Sequence, residues 1–556
     1  MPPSGSSAPP NRFERICQVV LLVVGARCAF AGHALPVEAD GLAYLDVARA
    51  YLRHDWHTAL NGYWGPLYSW LLAAGMRIFQ PGVRSEFAVA RAVNFVIFIW
   101  AVFAFSAFWR TLADWSRRNC GVCHALPDVS PSGWTSLGSL LFLVSFSWFV
   151  DVVNPDILAA AIVFMIAGLL FKLNHGQEHG IGSYVWLGTL LAAGYYAKAI
   201  LLFFAGFVIA ALAVQHARKK SLWRPAVAIT VFLVLILPFV TTLSRTLGHF
   251  TAGDSGKLNY AWFVDGPETK TWMTAAAGGA PIPFYPGDRV SDSPRVFRLP
   301  HLPGVTYAPW YDATRFDRRS HPYFAWRGQL RQFATNLKFL HEQLLGIEGP
   351  LLVCLIVLIW CAPKAALRRL GATWFCTLPL AAIFGMYLLV HLSMRFVLGF
   401  LLVLWGAALA SVVVPIELQR WGKRALLAGI LVFAAYTGPG LIHYVFSSRA
   451  ESTQRDIIVA EALPEYGVRP GDSVASIGDG QTAYWAHLAR VSVVAEIWQV
   501  DSPQFWSGSA DSQQAALHSM SESGAKAAIW RRDSSQPCPS GWLPLAQSSG
   551  CILLLP

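Results

Sequence analysis

Long apolar runs separated by short polar stretches fill the chain from about residue 16 to residue 445. A helix needs about 20 mainly apolar residues to cross a bilayer, and most of these runs approach that length. The pattern therefore predicts a polytopic α-helical membrane protein. It indicates about eleven transmembrane helices, near 16–36, 86–109, 134–150, 157–173, 183–197, 199–215, 225–243, 349–363, 372–392, 396–414 and 424–445.

The apolar run at 185–214 is too long for one helix across a bilayer. A single helix over this run would extend about 45 Å, whereas the hydrocarbon core is about 30 Å thick. Gly194 and Lys198 interrupt the run. We expect two short helices that meet at Ala197-Lys198, which places Lys198 in or near the outer leaflet.

Three stretches lie outside the predicted spans, on one side of the membrane. The first has the pattern of an interfacial helix, and the second is long and rich in Gly, Pro and aromatic residues, which is typical of a functional loop. The third alternates predicted helices and strands, as in a small α/β domain, and Cys538 and Cys551 could form a disulfide there. The predicted organisation is a disordered cytoplasmic tail over 1–15, a transmembrane domain over 16–445 with external loops at about 37–85 and 244–348, and an external α/β domain over 446–556.

Composition and charge agree with this class. Apolar residues make up 55% of the chain and charged residues 13%, against about 25% charged residues in soluble domains. In a soluble protein the net charge of +11 would suggest a nucleic-acid partner, but here the basic residues concentrate in alternate short loops between spans. The positive-inside rule then places the N-terminus in the cytoplasm and the C-terminus outside, and no nucleic-acid partner is expected.

Acidic residues recur where predicted spans reach the external surface. Glu38 and Asp40 follow the first span, and Asp156 lies in the turn between the third and fourth spans. Asp40 and Asp156 could each stabilise a helix N-terminus. Their shared membrane level beside large loops favours a common polar cavity, because a charge at membrane depth is costly unless it is paired or used.

Two basic residues at the same level provide the complementary charge. Lys198 lies in an otherwise apolar hairpin, and Arg395 lies at the external end of the ninth span. Cations held there can bind a phosphate, although Arg395 could also be an interfacial anchor. Together these residues predict cleavage of a glycosyl-phosphate bond in a polyprenyl-phosphate sugar. Lys198 and Arg395 would bind the departing phosphate, and Asp40 would act as the base on the acceptor.

Several short motifs resemble those of GT-C-fold integral membrane glycosyltransferases, in particular bacterial relatives of aminoarabinose transferases and protein O-mannosyltransferases. Asp40-Gly-Leu-Ala-Tyr44 resembles the acidic first-loop motif, and Gly65-Pro-Leu-Tyr68 the segment that follows it. Pro155-Asp156 is similar to the second acidic motif. Ala193-Gly-Tyr-Tyr-Ala-Lys198 resembles a Gly…Thr-Lys segment, and Arg395-Phe396 an Arg-Tyr pair. These motifs fall in order over about 15–445.

The resemblance implies transfer with inversion from a dolichyl- or undecaprenyl-phosphate donor, to a lipid, glycan or protein acceptor, at the periplasmic side of a bacterial inner membrane. Asp40, Asp156 and Glu38 would be the catalytic acids, and Lys198, Arg395 and Tyr44 would bind substrate. Gly41 stands where many members have a Glu, so the choice of base between Glu38 and Asp40 stays open, as does a divalent metal.

Two other functions remain as alternatives. A membrane transporter would use Asp40, Asp156 and Lys198 to line a translocation path, but transporters tend to bind substrate at the bilayer midplane between inverted repeats. A lipid-linked polymer ligase, or a scaffold of envelope glycan assembly, would use Arg and His side chains of the second external loop. The segment 307–319 and His321 provide such side chains.

Overall fold

The structure is a computed structural model, and most of the chain is helical. The residues that it describes are 10–30, 39–120, 124–174, 180–217, 221–264, 288–316, 322–447, 451–478, 480–531, 537–545 and 550–556. The predicted tail over 1–15 therefore lies largely outside the described residues, and Glu38 lies wholly outside them.

The helices of the first half of the chain are α1 (Arg12–Phe30), α2 (Ala39–Leu52), α3 (Trp56–Ala59), α4 (Pro66–Phe79), α5 (Glu86–Arg118), α6 (Leu126–Val129), α7 (Pro131–Phe146), α8 (Asp156–Leu173), α9 (Ile181–Ala197), α10 (Leu201–Ala217), α11 (Trp223–Leu247) and α12 (Ser255–Phe263). Those of the second half are α13 (Ala308–Tyr311), α14 (Ala313–Phe316), α15 (Trp326–Ile347), α16 (Gly349–Trp360), α17 (Pro363–Ala372), α18 (Trp374–Leu389), α19 (Met394–Ser411), α20 (Gln419–Phe446), α21 (Glu451–Ala462), α22 (Tyr484–Ala489), α23 (Ser502–Ser507) and α24 (Ala510–Glu522).

Among the described residues, five helices are long and apolar enough to cross a membrane alone: α5, α8, α11, α19 and α20 with the short turn before it. The pairs α15–α16 and α17–α18 are bent by 81° and 80°, and counting each pair as one span raises the number to seven. This is fewer than the eleven spans that hydropathy predicts. Helices α7, α9 and α10 have 16, 17 and 17 residues, about 24–26 Å each. The protein is nevertheless a multi-pass membrane protein.

The predicted helix break at Lys198 is confirmed. Helix α9 ends at Ala197, and Lys198 has an extended backbone with φ −156° and ψ 123°. Its backbone N–H still donates to the carbonyl of Gly194, which closes the last turn of α9. Helix α10 begins three residues later, at Leu201, so the side chain of Lys198 projects from a helix junction.

Aromatic rings fill the interior of the bundle around α5 and α8. The ring of Phe105 lies 5.1 Å from that of Phe164 and 5.2 Å from that of Phe142. Helix α19 approaches α8 closely, because a Cβ at Gly399 would lie only 3.0 Å from the Cα of Ala160. This contact holds the first turns of α8 and α19 side by side.

A seven-stranded mixed sheet forms the second part of the protein. The strands that build it are β2 (Asp288–Asp292), β3 (Arg295–Arg298), β5 (Ser473–Ile477), β6 (Ser492–Ile497), β7 (Ala527–Arg531), β8 (Leu543–Pro544) and β9 (Gly550–Leu554), in the order β2-β3-β6-β5-β7-β9-β8. Strand β5 pairs in parallel with β6 and β7, and the other pairs are antiparallel. A separate small ladder joins β1 (His124–Ala125) to β4 (Val413–Val414).

The sheet is built from two separate parts of the chain. Strands β2 and β3 belong to the segment predicted as the second external loop, and β3 pairs with β6. Two strands of the sheet therefore come from outside the range 446–556. The expected disulfide between Cys538 and Cys551 is present and ties the segment before β8 to β9.

A buried carboxyl group joins these two parts. Glu496 in β6 is fully buried, accepts a 2.8 Å hydrogen bond from the Tyr307 hydroxyl, and accepts another at 3.0 Å from the backbone N–H of Gly480. Burial raises the pKa of Glu496 from 4.5 to about 8, against the lowering effect of the Gly480 N–H. The folded state therefore favours the protonated form.

This carboxyl group gives a pH-dependent stability with a defined sign. The contribution of Glu496 to the free energy of unfolding is fully present below pH 4.5 and is lost as the pH rises through about 8. Between pH 5 and 9, we expect the melting temperature of the wild type to fall by several degrees more than that of Glu496→Gln. This size follows because 1 kcal/mol corresponds to about 2–4 °C in domains of 150–250 residues. Thermal unfolding in detergent measures both proteins. The exposed Glu465 provides the control Glu465→Gln. Parallel curves for the wild type and Glu496→Gln would contradict the assignment.

Candidate active site

Four charged side chains from four separate elements meet at one end of the bundle. Nζ of Lys198 lies 2.5 Å from Oδ1 of Asp156, and Nη2 of Arg395 lies 2.5 Å from Oδ2 of Asp40. Nε of Arg395 lies 3.8 Å from Oδ2 of Asp156, which joins the two pairs. We call these four residues the ion cluster.

Each member of the ion cluster comes from the end of a helix. Asp40 lies in the first turn of α2, Asp156 begins α8, and Arg395 lies in the first turn of α19. Lys198 follows the last residue of α9. Acidic groups at helix N-termini are stabilised by the helix dipole. Asp156 can therefore stabilise the start of α8 and belong to the ion cluster at the same time.

The ion cluster is neutral and mostly buried. The side chain of Asp156 is 4% exposed, and those of Asp40, Arg395 and Lys198 are 17%, 19% and 22% exposed. Breaking such a pair by removing one partner is costly, because the other charge stays buried without compensation. Each acid is therefore paired with one cation of the ion cluster.

The ring of Phe396 lies under both cations. Nζ of Lys198 is 3.9 Å from the ring centroid, and the guanidinium carbon of Arg395 is 4.9 Å away. A cation over an aromatic face gains about 0.5–2 kcal/mol. Phe396 stands where the similar Arg-Tyr motif has Tyr, and its ring face lies against both cations.

A small crevice of about 10 Å³ lies beside the ion cluster. Asp156, Lys198 and Arg395 line it together with residues of α8, α10, α18 and α19. Within the described residues, Oδ2 of Asp156 is buried and accepts no hydrogen bond. This arrangement places an unsatisfied acceptor and two cations next to apolar side chains of the bundle.

Tyr44 lies one helical turn after Asp40 and is 3% exposed. Its ring lies 5.0 Å from that of Trp64 and 5.1 Å from that of Tyr68. Tyr44 packs against these two rings and is not among the residues that line the crevice, so its predicted contact with substrate stays a prediction.

Sequence reasoning did not select the aromatic group beside Asp40. Tyr63 packs against Trp64, Trp262 and Trp310, with ring centroids 4.5, 5.6 and 5.5 Å away. Burial first, and then the carboxylate of Asp40, raise the pKa of Tyr63. The high density of aromatic residues in 56–70 could have indicated this group. Such a density does not by itself distinguish residues that line a binding site from residues of the hydrophobic core.

The ion cluster does not provide the ligand set of a metal ion. In the described part of the chain, no group of three or more His, Cys, Asp and Glu side chains is placed to hold one. Asp40 and Asp156 face Arg395 and Lys198 instead. Both carboxylates are thus compensated by cations of the protein itself.

Comparison with solved structures identifies the fold of the chain. The chain aligns with ArnT from Cupriavidus metallidurans bound to undecaprenyl phosphate with a TM-score of 0.51, at 12% identity, over 97% of each chain. It aligns with the apo oligosaccharyltransferase of Archaeoglobus fulgidus with a TM-score of 0.51, at 12% identity, over 94% of this chain and 70% of that chain. The chain has a GT-C fold.

The GT-C fold was the expectation drawn from the short motifs, and the alignments confirm it over nearly the whole chain. At 12% identity the likeness concerns the fold. No protein-family model matches the sequence, and no curated protein matches it significantly. The roles of individual residues in this GT-C chain are therefore argued from its own geometry.

Proposed function

We propose that this protein is a glycosyltransferase that moves a sugar from a polyprenyl-phosphate donor to an acceptor at the periplasmic face of a bacterial inner membrane. One observation carries the proposal: two acids and two cations form a single ion cluster next to apolar side chains of the helix bundle. A prenyl-linked phosphate has the matching chemistry, since its tail is apolar and its head is anionic.

The ion cluster suggests how substrate binding prepares the base. A phosphate oxygen that approaches Arg395 competes with Asp40 for the same guanidinium, because Arg binds phosphate and carboxylate in the same geometry. Asp40 is then released from its ion pair toward the acceptor. Lys198 stays paired with Asp156 and provides a second positive charge for the phosphate.

The proposed transfer is one displacement at the anomeric carbon. Asp40 takes the proton of the acceptor hydroxyl, and the acceptor oxygen forms a bond to the anomeric carbon. The bond from that carbon to the phosphate oxygen breaks, and the phosphate leaves with the electron pair, stabilised by Arg395 and Lys198. Attack from the face opposite the leaving group inverts the configuration. Oδ2 of Asp156, which accepts no hydrogen bond among the described residues, would accept one from a sugar hydroxyl or amino group.

Two further considerations support the donor and the location. ArnT, which shares the fold, has been solved with undecaprenyl phosphate bound, and a donor of the same lipid class is proposed here. The basic residues of alternate short loops favour a cytoplasmic N-terminus. With this orientation the ion cluster and the α/β domain would be on the periplasmic side, where lipid-linked sugars rather than nucleotide sugars are available.

Deletion of the gene tests the proposal directly. We expect mass spectrometry of envelope lipids and glycans to show the loss of one sugar substituent together with accumulation of its polyprenyl-phosphate donor. Return of the sugar on expression of the wild-type protein is the control. An unchanged set of envelope glycans and an unchanged donor pool would contradict the proposed function.

A further inference from the structure

The α/β domain contacts the polypeptide directly beside Asp40. A Cβ at Gly41 would lie 2.4 Å from Oη of Tyr484 in α22 and 3.1 Å from Cβ of Val153. Real Cβ atoms do not approach another atom this closely, so a methyl group at position 41 would force the side chain of Tyr484 or the start of α2 to shift. Val153 belongs to the turn that leads to Asp156. Gly41 is therefore enclosed between the α/β domain and the segment that carries the second acid.

A second contact between α22 and α2 involves buried charges. The two ring nitrogens of His487 lie 2.7 Å from Oδ1 of Asp46 and 2.7 Å from Oε1 of Glu86. Nη2 of Arg49 lies 2.5 Å from the other oxygen of Glu86, and Nη1 donates to the carbonyl of His487 at 2.5 Å. His487 is 0% exposed, Asp46 2% and Glu86 4%.

The group brings together two acidic side chains, Asp46 and Glu86, and two basic ones, Arg49 and His487. Asp46 also accepts from the backbone N–H of Thr306 at 2.7 Å and from its hydroxyl at 3.0 Å. The group thus connects α2, α5, α22 and the segment before α13.

Stability alone does not account for such a group. Apolar side chains of similar volume are often at least as stabilising as a buried ion network, whereas the network is satisfied only in one relative arrangement of its members. Asp46 and Arg49 lie on α2, six and nine residues after Asp40, so this arrangement also fixes the position of the helix that carries Asp40.

We propose that Tyr484 and His487 of the α/β domain are positioning residues, which fix α2 so that Asp40 faces the acceptor. This inference rests on the proposed function, because it assigns Asp40 the role of base. Neither residue is a member of the ion cluster. Their effect is expected on the rate of transfer rather than on donor binding, which depends on Lys198 and Arg395.

A double-substitution cycle tests the contact. Gly41→Ala inserts a methyl group against the hydroxyl of Tyr484 and should lower kcat about 10- to 100-fold, because a misplacement near 1 Å can cost about 10²-fold. Tyr484→Phe removes the clashing oxygen, and the next atoms, of Val153, lie 3.1 and 3.3 Å away. We expect Tyr484→Phe alone to lower kcat about threefold. Adding it to Gly41→Ala should restore kcat to that level, with KM for the lipid donor unchanged throughout.

The chain offers a matched control for the rescue. Tyr466 belongs to the same domain and donates its hydroxyl to the carbonyl of Pro544 at 2.6 Å, away from α2. Tyr466→Phe should leave activity unchanged and should fail to rescue Gly41→Ala. Equal rescue by Tyr466→Phe, full activity of Gly41→Ala, or a loss confined to KM would overturn the inference.

Hydrogen exchange gives a readout that is independent of sugar transfer. Amide exchange over 39–52 should rise in detergent-solubilised Gly41→Ala and return toward wild-type values in the double variant. If the wild type transfers sugar but exchange over α2 does not respond, the positioning role fails while the proposed function stands. If exchange responds as expected but the wild type transfers no sugar from any polyprenyl-phosphate donor, the proposed function is wrong. The contact between Tyr484 and Gly41 would then have no role in catalysis.

Discussion

Replacing Asp40 by asparagine is expected to abolish sugar transfer, with kcat reduced by at least about 10³-fold. The amide of the new side chain cannot take the proton of the acceptor hydroxyl, and general base catalysis contributes about 10²–10⁴-fold. The substitution nearly preserves the shape of the side chain, so the helix start and the contact with Gly41 should persist. Transfer of radiolabelled sugar from a polyprenyl-phosphate donor in proteoliposomes measures the effect.

The control for this prediction is the same substitution at an aspartate outside the ion cluster. Asp128 also accepts from an arginine, with Oδ1 2.8 Å from Nε of Arg117, and its side chain is 41% exposed. Asp128→Asn should retain wild-type kcat. Substantial transfer by Asp40→Asn would move the base to another acid, first of all to Glu38, which lies outside the described residues.

The position of the ion cluster favours the proposed transferase over the transporter alternative. Its members come from the N-terminal turns of α2, α8 and α19 and from the end of α9, whereas transporter sites tend to lie at the midplane, between inverted repeats. The polymer-ligase alternative invoked 307–319 and His321. Of this segment the described part includes Tyr307, which is buried against Glu496, and His321 lies outside the described residues.

The features that follow from local sequence could be predicted. The break at Lys198 follows from the length of an apolar run, and charges at membrane depth are rare enough to identify Asp156 and Arg395 as neighbours in one site. The number of spans was harder to predict, since hydropathy does not show whether an apolar helix of only 17 residues, such as α9, crosses the bilayer alone.

The features that depend on distant pairings could not be predicted. His487 and Asp46 are 441 positions apart, and Gly41 looks like a simple departure from a family motif until Tyr484 is seen against it. Strands β2 and β3 join the sheet through β6, and their short sequences show no alternation strong enough to assign them to a domain that begins about 150 residues later. In each case the determining contact is tertiary.

Replacing Lys198 by alanine is the second substitution with a large expected effect. It removes one of the two cations proposed for the donor phosphate, and it leaves Asp156, whose side chain is 4% exposed, without its closest partner. We expect KM for the lipid donor to rise at least about 10-fold, which corresponds to the loss of one charge-assisted hydrogen bond of about 1.5–3 kcal/mol. Titration of transfer rate against donor concentration measures it.

Two further variants show whether this effect concerns the donor or the fold. Lys198→Arg keeps the charge and should recover much of the donor affinity, although its broader head must share the space over Phe396 with Arg395. Lys338, whose side chain is 79% exposed, provides the control Lys338→Ala, with no expected change in KM. If Lys198→Ala binds the donor as the wild type does while only its melting temperature falls, then Lys198 serves the packing of α8 against the α9–α10 junction. The phosphate would then depend on Arg395 alone.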